Sequence, residues 1–504
     1  MTLPQFVWMI IFPLLGTPLA YLGGQIERRE EKDPSKLVVA RWVAFLALAL
    51  AWLPFSAAAH DLLVNGPATF AYGNITLKLD GVSLLLAAVV LGLGMAATLF
   101  SGPYVAGEAS EEKHHALLLA TVGVIIGLGC ANDLFNLWVW FEAMAIATYF
   151  LVAFYRSQPA SLESGVKYLT QSATGSALVL VGIALVFAQT GVLGLDQIRT
   201  AVAANPRAPL LIAGGALLLI GFGVKAALVP LHTWLPDAHA QAPSGISAML
   251  SGVVIEAGLV ALLRAVGVLS GTASWGALLL GFGALNMLAG NLLALRQTQV
   301  KRLLAFSSLS HMGYMLVGLG IAIQVGQPAG AQGAFFHLIN HGLMKGLAFL
   351  AAGAFLYTLY ISNGQHGPLT ISDLNGAAKR YPLPALALSI AVLGLGGLPP
   401  LSGFMSKWQI FVAGFQSGQV VLYGVVIFAA LNSVLSLAYY APIVNAVYRE
   451  QPSAAVQQGR PLPALITFTL AVLGLAIVLL GFWPSLAQGL TQPAAQALLG
   501  MFGR

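Results

Sequence analysis

The chain has 504 residues, of which 58% are hydrophobic and only 8% are charged, and its mean hydropathy is +0.85. A soluble domain carries about 25% charged residues, so this composition excludes an ordinary soluble protein and indicates a lipid bilayer as the solvent. The formal net charge is +6, but the basic residues are scattered between apolar runs, which argues against nucleic-acid binding.

Apolar runs long enough to cross the hydrocarbon core as a helix, about 20 residues, recur along the whole chain. We number them spans 1 to 14, at residues 5–24, 37–59, 81–102, 115–131, 134–155, 168–190, 208–231, 244–267, 275–295, 303–325, 331–360, 383–415, 419–447 and 464–489. No basic segment precedes the first run, so we interpret it as a retained helix and not as a signal peptide. The sequence predicts an all-α polytopic membrane protein with about fourteen transmembrane helices.

The basic residues in the loops and near the ends of these spans divide unevenly between the two sides of the membrane. With the N-terminus outside, fifteen fall on the inner side, namely Arg28, Arg29, Lys32, Lys36, Arg41, Lys113, Arg156, Lys167, Arg296, Lys301, Arg302, Lys379, Arg380, Arg449 and Arg460. Five fall on the outer side, namely Lys78, Arg199, Arg207, Arg264 and Arg504. Since cytoplasmic loops are enriched in Lys and Arg, we expect both termini on the non-cytoplasmic face of the inner (cytoplasmic) membrane.

Span 5 and span 7 each place one charge in hydrocarbon, where ionisable residues are costly and usually functional. Glu142 is the only charge between residues 134 and 155. Lys225 is followed by Pro230, which removes a backbone donor and should break the helix. We expect the freed carbonyls and His232 to line a hydrated gap. A buried lysine near a carboxylate takes up or releases a proton when that neighbour changes, so Lys225 is a candidate switch.

Span 8 contains Glu256 as the only ionisable group of the run SAMLSGVVIEAGLVALL. Lys225 lies one span earlier, so a buried pair between the two side chains is geometrically plausible.

Span 11 carries His337, His341 and Lys345 at intervals of four residues, and His311 lies on span 10. Residues four apart share one face of a helix. Imidazole titrates near neutral pH and both donates and accepts hydrogen bonds. This pattern is therefore typical of a proton relay through a dry core.

Span 12 contains GLGGLPPLSGFMSKW, in which Pro399 and Pro400 precede Lys407. These prolines should interrupt span 12 as Pro230 interrupts span 7. Two broken segments with one lysine each, five spans apart, are typical of internal repeats whose broken helices hold ion sites. The lysine precedes the proline in one segment and follows it in the other, which favours inverted repeats.

Other interpretations stay open at this level. Each intramembrane charge can belong to a structural ion pair, His311 can bond a backbone carbonyl, and the proline breaks can be packing kinks. The spacing of His337 and His341 also fits a metal or haem pair, although no HExxH acid lies between them and Cys130 is the single cysteine.

Six strings between about residues 75 and 445 carry a family resemblance: LDGVSLLL, FNLWVWFEAM, VKAALVPLHTWLPDAHAQAPSGISAMLSG, KRLLAFSSLSHMGYMLVG, FFHLINHGLMKGLAFLAAG and GLPPLSGFMSKW. On them the chain resembles the antiporter-like membrane subunits. These include the proton-pumping subunits of complex I, Mrp-type cation/proton antiporter subunits and the membrane subunits of energy-converting hydrogenases. The stretch PLHTWLPDAH is the most specific of these motifs.

The resemblance implies two inverted five-helix repeats along a midplane polar axis. Spans 4–8 would occupy residues 111–270 and spans 9–13 residues 271–450, flanked by spans 1–3 at residues 1–110 and span 14 at residues 451–504. The implied proton pathway runs from a gating Glu142–Lys225 pair to an exit-side lysine, through His311, His337, His341, Lys345 and Lys407. The complex I subunit closest to the mitochondrial fourth chain has a glutamate at that last position, so Lys407 argues against that paralogue.

Glu256 departs from the family pattern, which has lysine or histidine at this place. An acid passes a proton between a neutral and a negative state, whereas a lysine or histidine passes it between a positive and a neutral state. An acid would also stabilise protonated Lys225 more strongly than a base at this position. We expect Glu256 to shift the resting protonation of the pathway, or to mark a branch that handles a cation or couples differently.

The chain offers no Gly-rich dinucleotide loop, no thiolate ligand set and no HExxH motif, so we expect no cofactor on it and assign electron transfer to partner subunits. The resemblance implies a subunit of a complex I-like, hydrogenase-like or Mrp-like assembly that moves protons, with Na⁺ as an alternative ion. A stand-alone solute transporter, a haem-binding subunit and a partner of a bicarbonate-concentrating complex are the rival interpretations.

Overall fold

The computed structural model describes residues 3–31, 33, 38–73, 75–364 and 367–504. Lys32 and Lys36, two of the cations used to predict the sidedness, lie outside the described residues. The helices in chain order are α1 (Gln5–Glu30), α2 (Val39–Asn65), α3 (Gly81–Tyr104), α4 (Glu111–Cys130), α5 (Leu134–Val152), α6 (Pro159–Thr190), α7 (Leu195–Ala204), α8 (Pro209–Lys225), α9 (Trp234–Gln241), α10 (Ser244–Met249), α11 (Ile255–Gly267), α12 (Trp275–Ala294), α13 (Val300–Val325), α14 (Ala329–Leu359), α15 (Pro382–Gly396), α16 (Ser402–Gln416), α17 (Val420–Val447), α18 (Ala454–Gln458), α19 (Ala464–Phe482) and α20 (Gln488–Met501).

Twelve helical segments of the described chain are long and apolar enough to cross a membrane. Two shorter apolar helices, α8 and α15, stop at the predicted proline breaks and are followed by α9 and α16. The predicted all-α polytopic class is therefore confirmed, and the chain is a multi-pass membrane protein. The count of fourteen crossings and the inverted repeats stay predictions.

One β-hairpin, which the hydropathy pattern did not predict, lies between α2 and α3. Its strands β1 (Ala68–Tyr72) and β2 (Ile75–Leu79) pair antiparallel. Asp80 follows β2 directly and caps α3, accepting from the Ser83 N–H at 2.9 Å. Asp80 also binds Arg264, which the sequence assigned to the outer loops but which is buried on α11.

The innermost helices are α13, α14 and the continuous segment from α10 to α11, whose side chains are largely buried within the chain. A π-helical turn at Leu250–Val254 joins α10 to α11. By contrast, α1, α2, α17 and α19 expose many large apolar side chains on the outside of the bundle. Polar residues on the inner helices are therefore shielded from the outer surface of the bundle.

Close glycine contacts set the distance between α6 and α8. A Cβ atom at Gly221 would lie 2.6 Å from the carbonyl oxygen of Gly175, and one at Gly175 would lie 2.9 Å from the Gly221 oxygen. Only residues without a side chain allow the two backbones to approach so closely. This contact lies one helical turn before Lys225 and two turns after Tyr168, so it fixes how these two residues face each other.

Candidate functional site

Lys225 is the last residue of α8 and is fully buried at the break in span 7. Its ammonium donates to the Tyr168 hydroxyl at 2.5 Å and lies 3.5 Å from the Thr148 hydroxyl. The Nζ atom is also 4.4 Å from the centre of the Tyr168 ring, which stacks on Trp234 at 4.2 Å. Two hydroxyls and an aromatic face therefore hold this cation.

Glu142 lies on α5 and is half-buried, and its Oε2 accepts no hydrogen bond from the described residues. It acts electrostatically on Lys225, but the Lys225 ammonium is bound to Tyr168 and forms no ion pair with this carboxylate. The neighbouring Val139 and Ile146 are exposed, so Glu142 lies near the outer surface of the chain. The Glu142–Lys225 pair implied by the resemblance is thus separated in this structure.

Side chains bind the backbone groups that the break in span 7 sets free. Asn286 on α12 accepts from the Val229 N–H at 2.8 Å and donates to the Ala227 carbonyl at 3.1 Å. The indole N–H of Trp234 donates to the Val224 carbonyl at 2.8 Å. Side chains therefore bind these backbone groups, where the sequence predicted a hydrated gap. The Asn286 amide can bind two of them because it offers both a donor and an acceptor.

His232 follows this break and is half-buried, with its ring centre 6.5 Å from that of Phe306. Its ring hydrogen-bonds to the backbone of Pro230, but no hydrogen bond within the described chain joins it to another titratable residue of the predicted pathway. The sequence analysis missed His239 on α9, which is fully buried and stacks on Phe349 at 4.6 Å.

Glu256 lies on α11, directly after the π-helical turn, and its Oε1 is 2.7 Å from Nδ1 of His341 on α14. Both side chains are fully buried. The Glu256–Lys225 pair that the sequence made plausible does not form. The reason lies in the backbone, because Gly258 of α11 packs directly on the main chain of Lys225, where a Cβ would lie 2.9 Å from the carbonyl carbon. The lysine side chain points instead to Tyr168.

A row of buried imidazoles connects α14, α13 and α16. His311 Nδ1 lies 3.0 Å from His337 Nε2, and His337 Nδ1 lies 2.9 Å from the Ser406 hydroxyl. The ring centre of His311 is also 5.4 Å from that of His341. A neutral imidazole donates from one nitrogen and accepts at the other. His311, His337 and Ser406 can therefore pass a proton by exchanging these roles. His341 stacks on His311 without a hydrogen bond, and its Nε2 has no partner among the described residues. His311 bonds to His337 and not to a backbone carbonyl, the alternative that the sequence left open.

Lys407 on α16 is held in the same way as Lys225 on α8. Its ammonium donates to the Leu395 carbonyl and to the Ser433 hydroxyl, each at 2.8 Å. Its Nζ lies 4.6 Å from the centre of the Tyr314 ring. Each broken span thus places one buried lysine over a tyrosine ring.

Lys345 lies on the face of α14 that carries the two histidines. Its ammonium donates to the Leu304 carbonyl at 2.7 Å and to the Ser307 hydroxyl. Both acceptors belong to α13, so this lysine joins the two helices that hold the histidine row.

The structure thus brings part of the predicted site into one buried group. This group, which we call the histidine row, consists of Glu256, His341, His311, His337 and Ser406, with Lys407 next to Ser406 in the chain. Glu142, Lys225 and His232 lie outside the hydrogen bonds of this row. The part of the chain that the structure describes holds no group of three or more His, Cys, Asp or Glu residues that could bind a metal ion.

The sequence analysis missed the hydroxyl partners of these groups. Tyr168 and Ser433 give no signal, because isolated tyrosine and serine residues are common in apolar helices and neither adjoins a predicted site residue in the sequence. Tyr314 and Ser406 did carry a signal, since the first lies three residues after His311 and the second directly precedes a predicted lysine.

The NADH:quinone oxidoreductase/Mrp antiporter transmembrane family matches residues 131–435, more than half of the chain. The chain belongs to this family. Among its relatives, F420H2 dehydrogenase subunit N of Methanosarcina mazei is 33% identical, over 84% of this chain and 85% of the relative. NADH-quinone oxidoreductase subunit N 1 of Sorangium cellulosum is also 33% identical, over 84% of each chain. The resemblance inferred from the motifs is confirmed.

Solved structures of other family assemblies share the fold of this antiporter-family chain. A chain of an archaeal membrane-bound sulfane sulfur reductase is 27% identical with a TM-score of 0.85, over 99% of both chains. A chain of respiratory complex I from Thermus thermophilus is 28% identical with a TM-score of 0.74, over 94% of this chain and 98% of that one. A chain of the Mrp complex from Dietzia sp. is 22% identical with a TM-score of 0.86, over 99% and 98%, which supports the fold alone.

Proposed function

We propose that this antiporter-family chain is a proton-translocating subunit of a larger membrane complex. The observation that carries the proposal is the histidine row, in which the buried Glu256–His341 pair and the hydrogen-bonded chain His311–His337–Ser406 meet where the rings of His341 and His311 stack at 5.4 Å. Ionisable groups in a membrane interior are costly and mark ion pathways, and neighbouring imidazoles exchange protons near neutral pH. Relatives in this family are named as subunits of an F420H2 dehydrogenase and of an NADH-quinone oxidoreductase. These names support the same function.

The proposed path begins on the cytoplasmic side near spans 7 and 8 and loads Lys225 or its neighbours. The proton then passes along the histidine row to Lys407 and leaves on the opposite side. An adjoining subunit would gate the path by forming or breaking the pair of Lys225 with Glu142. Breaking a buried pair costs about 3–5 kcal/mol, which matches one charge moved through roughly 150–200 mV at about 2.3 kcal/mol per 100 mV.

We assign residues 111–270 and 271–450 to two inverted five-helix repeats, with residues 1–110 and 451–504 flanking them. Two features support this division. Span 7 breaks just after Lys225 and span 12 just before Lys407. Each lysine lies over a tyrosine ring, at 4.4 Å and 4.6 Å.

We place the chain in the inner (cytoplasmic) membrane with both termini on the non-cytoplasmic face. The excess of Lys and Arg in the loops that would then be cytoplasmic supports this orientation. Bacterial relatives named as NADH-quinone oxidoreductase subunits support the choice of membrane.

Partner subunits are proposed to cover the outer face of α5. Glu142 lies there, half-buried between exposed apolar residues, and its Oε2 is buried without a hydrogen-bond partner in the described chain. A charge so near the lipid at mid-helix is unfavourable, since a charge at the bilayer centre costs about 2.5–3.5 kcal/mol. A neighbouring subunit would remove this cost and supply the charge change that gates Lys225. We assign the redox cofactors to such partners and none to this chain.

The test is proton pumping by the assembly that co-purifies with the tagged full-length chain. The assembly is reconstituted in liposomes and driven by the electron donor that its other subunits oxidise. We expect His337→Gln to lower proton uptake by roughly tenfold or more at an unchanged rate of electron transfer, because glutamine cannot take up and release a proton and a positioned acid–base group contributes about 10²–10⁴-fold to a proton-transfer rate. His60→Gln, at an exposed histidine of α2, is the matched control. Equal pumping in both variants would contradict the proposal.

Two further measurements separate the rival interpretations. Solute uptake by the purified chain alone in liposomes would favour a stand-alone transporter. A haem spectrum of the purified chain would favour a haem-binding subunit.

A further inference from the structure

A groove outside the proton path lies between α1, α4 and α5. Its volume is about 370 Å³. Its floor is apolar, formed by Pro18, Leu117, Phe150 and Phe154. It lies at the end of the bundle where α4 begins and α5 ends, so it runs from a basic loop region towards the middle of the helices.

Two cations without partners line this groove, Lys113 at the start of α4 and Arg156 just after α5. Neither side chain forms an ion pair or a hydrogen bond with another described residue. The nearby Arg28 differs, because it pairs with Glu112 at 2.8 Å. An unpaired lysine and an unpaired arginine beside one apolar groove form a binding site for an anion with an apolar body.

The carboxylates of the same helical turn point away from the groove. Glu112 is buried and is bound by Arg28 and by the side-chain amide of Gln25 at 2.8 Å. Glu111 is also buried, with its Oε2 3.4 Å from the Gly107 N–H. Neither acid lines the groove, so the charge that faces a ligand there is positive.

His114 is an independent indication of a ligand. It lines the groove and is fully buried, yet neither ring nitrogen has a hydrogen-bond partner among the described residues. An unsatisfied buried polar group is unfavourable, and an oxygen-rich headgroup in the groove would satisfy it. The hydroxyls of Ser110 and Tyr21 also line the groove and offer further donors.

The outer surface around the groove is apolar. Leu15, Leu19 and Leu22 of α1 and Phe150 in the last turn of α5 are exposed large hydrophobic residues. In a membrane protein such a surface faces acyl chains. A molecule bound in the groove can therefore extend from the cations at its rim into the hydrocarbon.

We propose that this groove binds one anionic phospholipid, with its phosphate between Lys113 and Arg156, its headgroup oxygens near His114, and its acyl chains along Leu117 and Phe150. Basic pockets between transmembrane helices on the cytoplasmic side bind anionic headgroups by this combination of charge and apolar contact. The site is separate from the histidine row and does not depend on the proposed proton path.

The test counts lipids that stay bound to the full-length chain, with its co-purifying subunits, by native mass spectrometry in detergent. The probes are phosphatidylglycerol, phosphatidylcholine and inorganic phosphate. We expect preferential retention of one phosphatidylglycerol. The double variant Lys113→Gln/Arg156→Gln should bind it about thirtyfold more weakly, since each cation near an anionic headgroup contributes about 1 kcal/mol.

The matched control is Arg296→Gln/Arg449→Gln, which removes two exposed cations that follow α12 and α17. It lowers the net charge equally and should bind the lipid like the wild type. If the Gln variant fails to fold, Lys113→Arg/Arg156→Lys keeps both charges and should retain the lipid.

Four results would overturn the proposal. Equal retention of the anionic and the neutral lipid would remove the role of charge. Equal weakening in the control variant would make the effect one of net charge alone. Stabilisation by inorganic phosphate alone, or loss of a co-purifying subunit with lipid retention unchanged, would make the occupant a free anion or an acidic partner segment.

Discussion

The carboxylate of Glu256 and Nδ1 of His341 lie 2.7 Å apart, and neither side chain is exposed. A carboxylate and an imidazole at this distance share one proton between them, either as a neutral pair or as an ion pair. Because the proton can shift within the pair without changing its total charge, the pair suits transfer in a medium of low dielectric constant. The acid at this position therefore acts on the histidine row and not on Lys225.

Variants of Glu256 test this role. We expect Glu256→Gln to slow proton translocation by roughly tenfold to a hundredfold, because the hydrogen bond of a charged group contributes about 1.5–3 kcal/mol. Glu256→Lys places an ammonium beside His341 and should change the pH dependence of pumping. Proton uptake as a function of pH measures both effects. Glu163→Gln, on an exposed carboxylate of α6, is the control, and an unchanged rate and pH profile in both Glu256 variants would place the pair off the path.

A Tyr168→Phe variant is a second test. It keeps the ring stacked on Trp234 but removes the hydroxyl that accepts from the Lys225 ammonium and that also bonds the Thr148 hydroxyl at 2.9 Å. We expect a loss of about 1–3 kcal/mol of stability from the poorly satisfied cation, together with slower proton translocation. Thermal unfolding in detergent and pumping rates measure the two effects. Tyr72→Phe, at an exposed tyrosine of the hairpin, should change neither, and identical behaviour of the two variants would contradict this assignment.

The hydropathy of the sequence was sufficient to predict the long apolar helices, since helix occupies most of each predicted span. It missed α7, which lies outside every predicted span, and most of α20. The boundaries were less accurate where the helix is polar. α6 begins at Pro159, well before the predicted residue 168, because PASLESGVK forms a helix with proline in its first turn but gives no apolar signal. The five-residue strands of the hairpin were missed because such short strands between two spans give no hydropathy signal.

The partners of the charged residues could not be predicted, because they depend on which helices adjoin and on the rotation of each helix. Lys225 illustrates this limit. Its spacing from Glu256 allowed a pair, but at Gly258 the backbone of α11 contacts the backbone of α8 at Lys225. The Lys225 ammonium therefore donates to Tyr168 instead. The histidine spacing, by contrast, was informative, since residues on one face of α14 reach the same neighbouring helix.

The contact between α6 and α8 predicts the effect of a larger residue at Gly221. The Cβ atom of Gly221→Val would lie only 2.6 Å from the Gly175 carbonyl oxygen, so the two helices must separate. We expect a loss of about 1–3 kcal/mol of stability from overpacking and a weaker Lys225–Tyr168 contact. Gly92→Val is the control, because a Cβ at Gly92 meets nothing within 4 Å. Equal melting temperatures of the two variants would show that the helices are not in close contact.

The buried ion pair of Arg264 with Asp80 gives the last prediction. The guanidinium binds both carboxylate oxygens, at 3.0 Å and 3.1 Å, with side-chain exposures of 2% and 6%. Arg264→Leu leaves the buried carboxylate without a counter-charge, and we expect thermal unfolding in detergent to show a loss of about 3–5 kcal/mol. Arg264→Leu/Asp80→Asn removes both charges, keeps a capping side chain at α3 and should recover most of this loss. Lys78→Leu, which removes a partly exposed pair with Asp196, should cost less than about 1 kcal/mol. If Arg264→Leu is no more destabilising than Lys78→Leu, the pair is solvated in the folded protein and its burial between α3 and α11 is wrong.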